Sequence, residues 1–152
     1  MIKFIEGDLL VNTVGAQAIG HGCNCQGVMG AGVAGQIARK HPSVKERYQI
    51  WCSKGAEPGT IQPVQVAASY GWVVNMFTQV VTGPHAHLDW VDKALEATLT
   101  FLDDHGLTSL AIPMIGAGIG GLKEEDVKAI FTRHGEAWNG TLYVYQKYVE
   151  GK

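Results

Sequence analysis

Histidine, asparagine and two cysteines crowd into one short polar run, His21-Gly22-Cys23-Asn24-Cys25-Gln26-Gly27. An imidazole there could serve as acid, base or nucleophile near neutral pH. The Asn24 amide offers both a donor and an acceptor. A glycine-dense stretch follows at once, Val28-Met29-Gly30-Ala31-Gly32-Val33-Ala34-Gly35, and a second, Gly116-Ala117-Gly118-Ile119-Gly120-Gly121, lies far along the chain. Without a Cβ the backbone N–H groups can turn toward an anion, and the N-terminus of a following helix adds positive potential at the same place. Two such loops suggest two cradles closing on one extended ligand, most simply a diphosphate. Taken singly, either could instead serve tight turns and close helix packing.

Those residues need elements to hold them. Ile2 to Ile5 alternates as a short strand ending at Gly7-Asp8, and Ala16 to Gly20 is a second apolar run that stops at His21. Helical spacing runs from Gly32 to His41, where Pro42 interrupts it, and again from Val44 to Lys54, with Tyr48 and Trp51 expected to face the core. Ile61 to Val66 and Trp72 to Phe77 are expected strands. Leu88 to His105 is the strongest helix, with Val91, Leu95, Leu99 and Leu102 on one face and Gly106 at its end. Leu110 to Ile115 is continuously apolar, as a strand buried on both faces should be, provided Pro113 sits near its end. Lys123 to Arg133 and Leu142 to Val149 supply the last helix and strand. Strands alternating with helices give an α/β domain with a largely parallel sheet, whose ligands bind beyond the strands' C-terminal ends. Asp8, the His21 run and the Gly116 loop all lie after expected strands, so one crevice could gather them.

At 152 residues the chain fits one domain, residues 1–152. A formal charge of −2 gives no global basic field to attract nucleic acid or acidic membrane, so an anionic ligand must be held locally. No apolar run approaches the ~20 residues of a membrane span, and three cysteines do not make a secreted disulfide framework. A cytoplasmic protein without membrane contact is the expectation.

Two further motifs lead nowhere. Gly30-Ala31-Gly32-Val33-Ala34-Gly35 matches G-x-G-x-x-G, yet it does not turn directly out of a strand, and no acidic ribose ligand follows at the required spacing. Cys23-x-Cys25 and His85-x-His87 lack the ligand spacing of zinc sites, so no metal is expected. His85 and His87 are expected on a solvated loop over the cleft entrance.

Four blocks in order, Gly7-Asp8-Leu9-Leu10, His21 to Gly27, Met29 to Ala34, and Ile112 to Leu122, resemble a macrodomain over essentially the whole chain. The resemblance is greatest to the branch that removes phosphate from ADP-ribose 1″-phosphate. It implies a three-layer α/β/α fold with a mixed, mostly parallel sheet, no cofactor, and ADP-ribose, its 1″-phosphate or ADP-ribosylated macromolecules as partners. By position, Asp8 would accept a hydrogen bond from the adenine amine, with the Leu9 backbone beside it. Asn24 would hold the distal ribose, and Gly30, Ala31, Gly32 and Val33 would line that ribose and one phosphate. Gly116, Ala117, Gly118, Ile119 and Gly120 would wrap the diphosphate, Tyr145 would stack near adenine, and His21 would join Asn24 in the chemistry. Turn, capping and core roles remain open for Asp8, Asn24, His21 and Tyr145. Related branches that remove ADP-ribose from DNA or glutamate use a lysine where Gln79 stands, and glutamine has no amine with which to form a Schiff base.

Overall fold

The computed structural model describes residues 1–152. Ten elements follow in the order β1 (Ile2–Gly7), β2 (Ala18–Asn24), α1 (Gly32–Lys40), α2 (Pro42–Ser53), β3 (Ile61–Gln65), β4 (Trp72–Gln79), α3 (Leu88–Asp104), β5 (Ser109–Pro113), α4 (Glu124–Ala137) and β6 (Thr141–Tyr148). The strands form one six-stranded sheet in the order β1-β6-β5-β2-β4-β3. Only β3 runs antiparallel, against β4; the other pairings are parallel. The sheet is therefore mixed and mostly parallel, as the resemblance implied.

Period-2 alternation distributes the strand side chains to two cores. Val74, Met76, Leu110, Ile112, Leu142 and Val144 pack toward α3 and α4, whereas Ile19, Val64, Val73, Phe77 and Ala111 pack toward α1 and α2. Leu110, Ala111 and Ile112 are fully buried, which is why β5 reads as an unbroken apolar run. Pro113 closes β5 where a missing ladder N–H matters least.

Two local expectations need correction. Strand β2 does not stop at Gly20 but continues through His21 to Asn24, because its polar side chains find partners in the neighbouring strand and turn. Trp51 does not face the core and is 45% exposed. The stripe that α2 buries runs through Val44 and Tyr48 toward the half-buried Cys52, a spacing of i, i+4, i+8 that rotates Trp51 outward.

Candidate functional site

At the C-terminal ends of β2, β4 and β5 lies a cleft of about 610 Å³. One wall is the segment Val28 to Ala34, the other runs from Pro113 to Gly116 and from Gly118 to Gly120, and the floor holds His21 to Asn24. Thr78, Gln79, Thr82 and Gly83 close the end over β4. Apart from His21 there is no ionisable group of ordinary acid or base type on this lining: no aspartate, glutamate, lysine or arginine. Any negative charge held here must be held by backbone dipoles.

The backbone is arranged for that. Ala31, at the start of α1, provides no side-chain cap, and the N–H groups of Ala31, Gly32, Val33 and Ala34 have no acceptor within the chain. Across the cleft, the loop after β5 is pinned by Ala117 N–H to Met114 O, Gly121 N–H to Gly118 O and Leu122 N–H to Gly116 O. Those bonds leave the N–H groups of Gly116, Gly118, Ile119 and Gly120 unspent. Two sets of free donors, one at a helix N-terminus, therefore face one neutral cleft.

The glycines divide by cause. A Cβ at Gly120 would fall 2.7 Å from the Gly116 carbonyl oxygen, so this glycine serves the loop's own packing. Gly30 and Gly118 have nothing within 4 Å of a Cβ position and neither has a positive φ. No intramolecular contact requires glycine at either, and both line the cleft. The open space is room for a ligand to approach the main chain.

On the floor, Asn24 organises the turn that follows β2. Its Oδ1 accepts from Gln26 N–H at 3.0 Å and Val28 N–H at 3.3 Å, and Tyr48 Oη lies 2.8 Å away. Its Nδ2 donates to Val28 O at 2.8 Å, leaving one amide hydrogen uncommitted. Gln79, opposite Asn24 in the β2–β4 register, donates from Nε2 to Val81 O at 2.7 Å and Gly83 O at 3.0 Å. It thereby fixes the loop at the far end of the cleft. That loop carries His85 and His87, both exposed as expected.

His21 is not at a strand end. It lies within β2, only 1% exposed, with Nε2 2.6 Å from Asn75 Oδ1. Asn75 Nδ2 donates to Gln62 Oε1 at 3.1 Å, and Gln62 Nε2 donates to Arg47 O at 3.2 Å. Because each amide in this buried series must donate toward the next acceptor, Asn75 presents its oxygen to His21. The imidazole is thus the Nε2–H tautomer, with Nδ1 its only acceptor. Burial pushes its pKa down to about 4 against the supporting pull of the Asn75 bond. At neutral pH His21 is uncharged. Cys23, beside it, has its thiol pushed well up by burial and is not a thiolate nucleophile.

Asp8, Leu9 and Tyr145 do not line this cleft, and neither does Ala117. Asp8 and Leu9 follow β1, and β1 is separated from β2 by β6 and β5, about 14 Å away at ~4.8 Å per strand. Asp8 Oδ1 accepts from Leu10 N–H at 3.1 Å in a local turn. Tyr145 is a core side chain, 5% exposed, and so is not an open stacking face. A bulge in the β1–β6 pairing separates it from the strand's end, where Tyr148 stands opposite Gly7 and is 53% exposed. The sequence signal for Tyr148 was its place as the last aromatic of the strand. Tyr145 itself faces the core by the ordinary alternation of β6, and the bulge that follows it leaves no mark in the sequence.

The family model described as Macro domain matches residues 21–131, which includes the cleft floor, both glycine loops and α3. The chain is a macrodomain. Among curated relatives it is similar to the DNA ADP-ribosyl glycohydrolase of Mycobacterium tuberculosis, 30% identical over 131 residues. That match covers 84% of this chain but 37% of the relative, so this macrodomain spans little more than a third of that protein. It is also similar to the ADP-ribose 1″-phosphate phosphatase of Lodderomyces elongisporus, 25% identical, with 87% of this chain and 91% of that protein covered. Among solved structures, the macrodomain of Thermus aquaticus DarG superposes with a TM-score of 0.87 at 28% identity, covering 96% of this chain and 98% of that one.

Proposed function

We propose that this macrodomain binds ADP-ribose and hydrolyses the phosphate from ADP-ribose 1″-phosphate. The observation that carries the reading is the pair of unspent N–H sets facing one uncharged cleft, with Gly30 and Gly118 open toward it. A diphosphate would lie between them. Its adenosine would extend toward β1, where Asp8 Oδ2 accepts only a long contact from Gly151 N–H and Leu9 N–H has no partner. Its distal ribose would lie over Asn24, toward the end closed by Gln79. The span from β1 to the cleft suits a ligand with a nucleoside at one end and a second ribose at the other.

The reaction adds water across the phosphate ester, releasing ADP-ribose and inorganic phosphate. Charge develops on the departing group, and fixed N–H dipoles in a site without competing side-chain charge stabilise it at no cost of reorganisation. His21 acts through Nδ1, as an acceptor that orients water rather than as a base that ionises near neutrality, since its pKa of about 4 makes it a weak one. His21→Ala should lower the rate by ~10²-fold, the low end for a positioned acid–base group, with little change in ADP-ribose affinity. Phosphate release from ADP-ribose 1″-phosphate tests the assignment directly. The wild-type rate should show no imidazole ionisation between about pH 5 and about 9.

A second reading, an ADP-ribose-binding module without turnover, is favoured by the same neutral, buried His21. Tight binding with no phosphate release would decide for it. Removal of ADP-ribose from DNA, the activity in the names of the mycobacterial and Thermus relatives, would have to proceed without the amine nucleophile, because Gln79 occupies that position.

A further inference from the structure

Beyond β6 the chain folds back onto the end of β1. Val149 N–H donates to Gly7 O at 2.9 Å, Gly151 N–H reaches Asp8 Oδ2 at 3.4 Å, and the Thr13 hydroxyl donates to Lys152 O at 3.1 Å. Lys152 N–H closes the turn on Val149 O at 3.2 Å. The turn sits directly on the strand end: a Cβ at Gly7 would be 3.2 Å from the Lys152 carbonyl. Beneath it the Tyr145 hydroxyl is buried with no hydrogen bond of good length and angle, and the Thr13 hydroxyl beside it, which donates to Lys152, keeps only its acceptor side for the tyrosine. A buried hydroxyl left poorly paired is costly, and a native structure that keeps one usually has a use for it. The cleft, for its part, ends short of Asp8.

We propose that residues 149–152 are a strap that occupies the base end of the ADP-ribose site, and that a nucleobase enters by displacing Gly151 from Asp8. This rests on the ADP-ribose reading above. Val149 N–H on Gly7 O hinges the strap, while its tip is held only by one long contact to the carboxylate and one hydroxyl bond, both exposed, so the tip is displaceable by a ligand already anchored through its diphosphate. Displacement frees Asp8 Oδ2 for an exocyclic amine and releases Thr13 from Lys152, while the base covers the Tyr145 hydroxyl with a polar edge. Affinity for the nucleoside half is reduced by the fraction of time the strap is closed. Affinity for the diphosphate and distal ribose is not.

The test compares the full chain with Gly151→Pro and Thr13→Val by calorimetry. Gly151 has φ of +73°, which proline cannot adopt, and proline also removes the N–H that meets Asp8. Thr13→Val removes the bond to Lys152 and leaves the turn's sequence intact. Both positions are exposed, so folding should survive, and a melting curve checks that it has. ADP-ribose should bind about tenfold more tightly to both variants, as expected if the strap is closed roughly nine-tenths of the time. Ribose 5-diphosphate, which has no base, should bind all three proteins alike. Unchanged or weaker ADP-ribose binding in both variants would overturn the strap. So would an equal gain for the base-free probe. If no protein of the three binds either probe, the ADP-ribose reading itself fails and the strap with it.

Discussion

Asp8, Gly118 and His21 carry different burdens. Asp8→Ala should weaken ADP-ribose by ~1.5–3 kcal/mol, the range for a hydrogen bond to a charged group, and should erase the preference for adenine over hypoxanthine analogues. Competition binding with ADP-ribose and its hypoxanthine analogue reads this out, and intact base selectivity would return Asp8 to a turn residue. Gly118→Val should abolish binding and leave the melting temperature nearly unchanged, because its Cβ enters open space. Gly120→Val should instead unfold the loop, since its Cβ would collide with the Gly116 carbonyl. His21 ties stability to pH. Its folded pKa of about 4 lies below the unfolded value of 6.5, so between them the unfolded chain takes up a proton that the native state refuses. That contribution is fully present above pH 6.5 and is lost as pH falls toward 4, roughly 3 kcal/mol in all. Urea midpoints at neutral and acid pH should converge for wild type and His21→Gln as pH falls. Parallel pH dependence would mean that the imidazole is not held neutral. The types and spacing of these residues were legible in the sequence; the protonation state of His21 was not, because it depends on burial beneath elements distant in sequence, and its tautomer on Asn75 and Gln62 from two other strands.

Elements decide what these side chains can reach. The polar run after Gly20 looked like a loop because polar residues usually end strands, yet β2 extends through it once Asn75 pairs with His21. Strand β5 was plain in advance, as three consecutive residues buried on both faces leave no alternation to misread. Tyr145 faces the core by ordinary alternation, with Tyr143 on its face and Leu142 and Val144 on the other, so its core role was legible; the bulge after it was not, since a bulge is a property of the β1–β6 register and neither strand alone encodes it. The loop after β4 offers a test at this scale. Gln79 holds it by donating to Val81 O and Gly83 O, and a lysine ammonium could donate to the same carbonyls. Gln79→Lys should therefore keep the wild-type melting temperature and bring in an amine that can attack opened ribose. Release of ADP-ribose from modified DNA, absent in wild type and present in the variant, would support that geometry. A variant that melts several degrees lower would show that glutamine's shape matters there.

Across the whole molecule, a chain of net charge −2 would hold a nucleoside diphosphate sugar by main-chain dipoles in an uncharged cleft. Affinity should then depend weakly on salt, because no lysine or arginine of the lining is there to be screened. On the proposed reading the strand order would spread the site from β1 to β4, so that residues distant in sequence share one ligand. Calorimetry with ADP-ribose on wild type and on Gly118→Val, each also melted with and without ligand, examines the two-loop cradle most directly. Wild type should bind and gain ~2.7 kcal/mol of stability at a ligand concentration 100 times the dissociation constant, while the folded variant shows neither heat nor stabilisation. Absence of binding by wild type, or equal binding by the variant, would contradict the cradle.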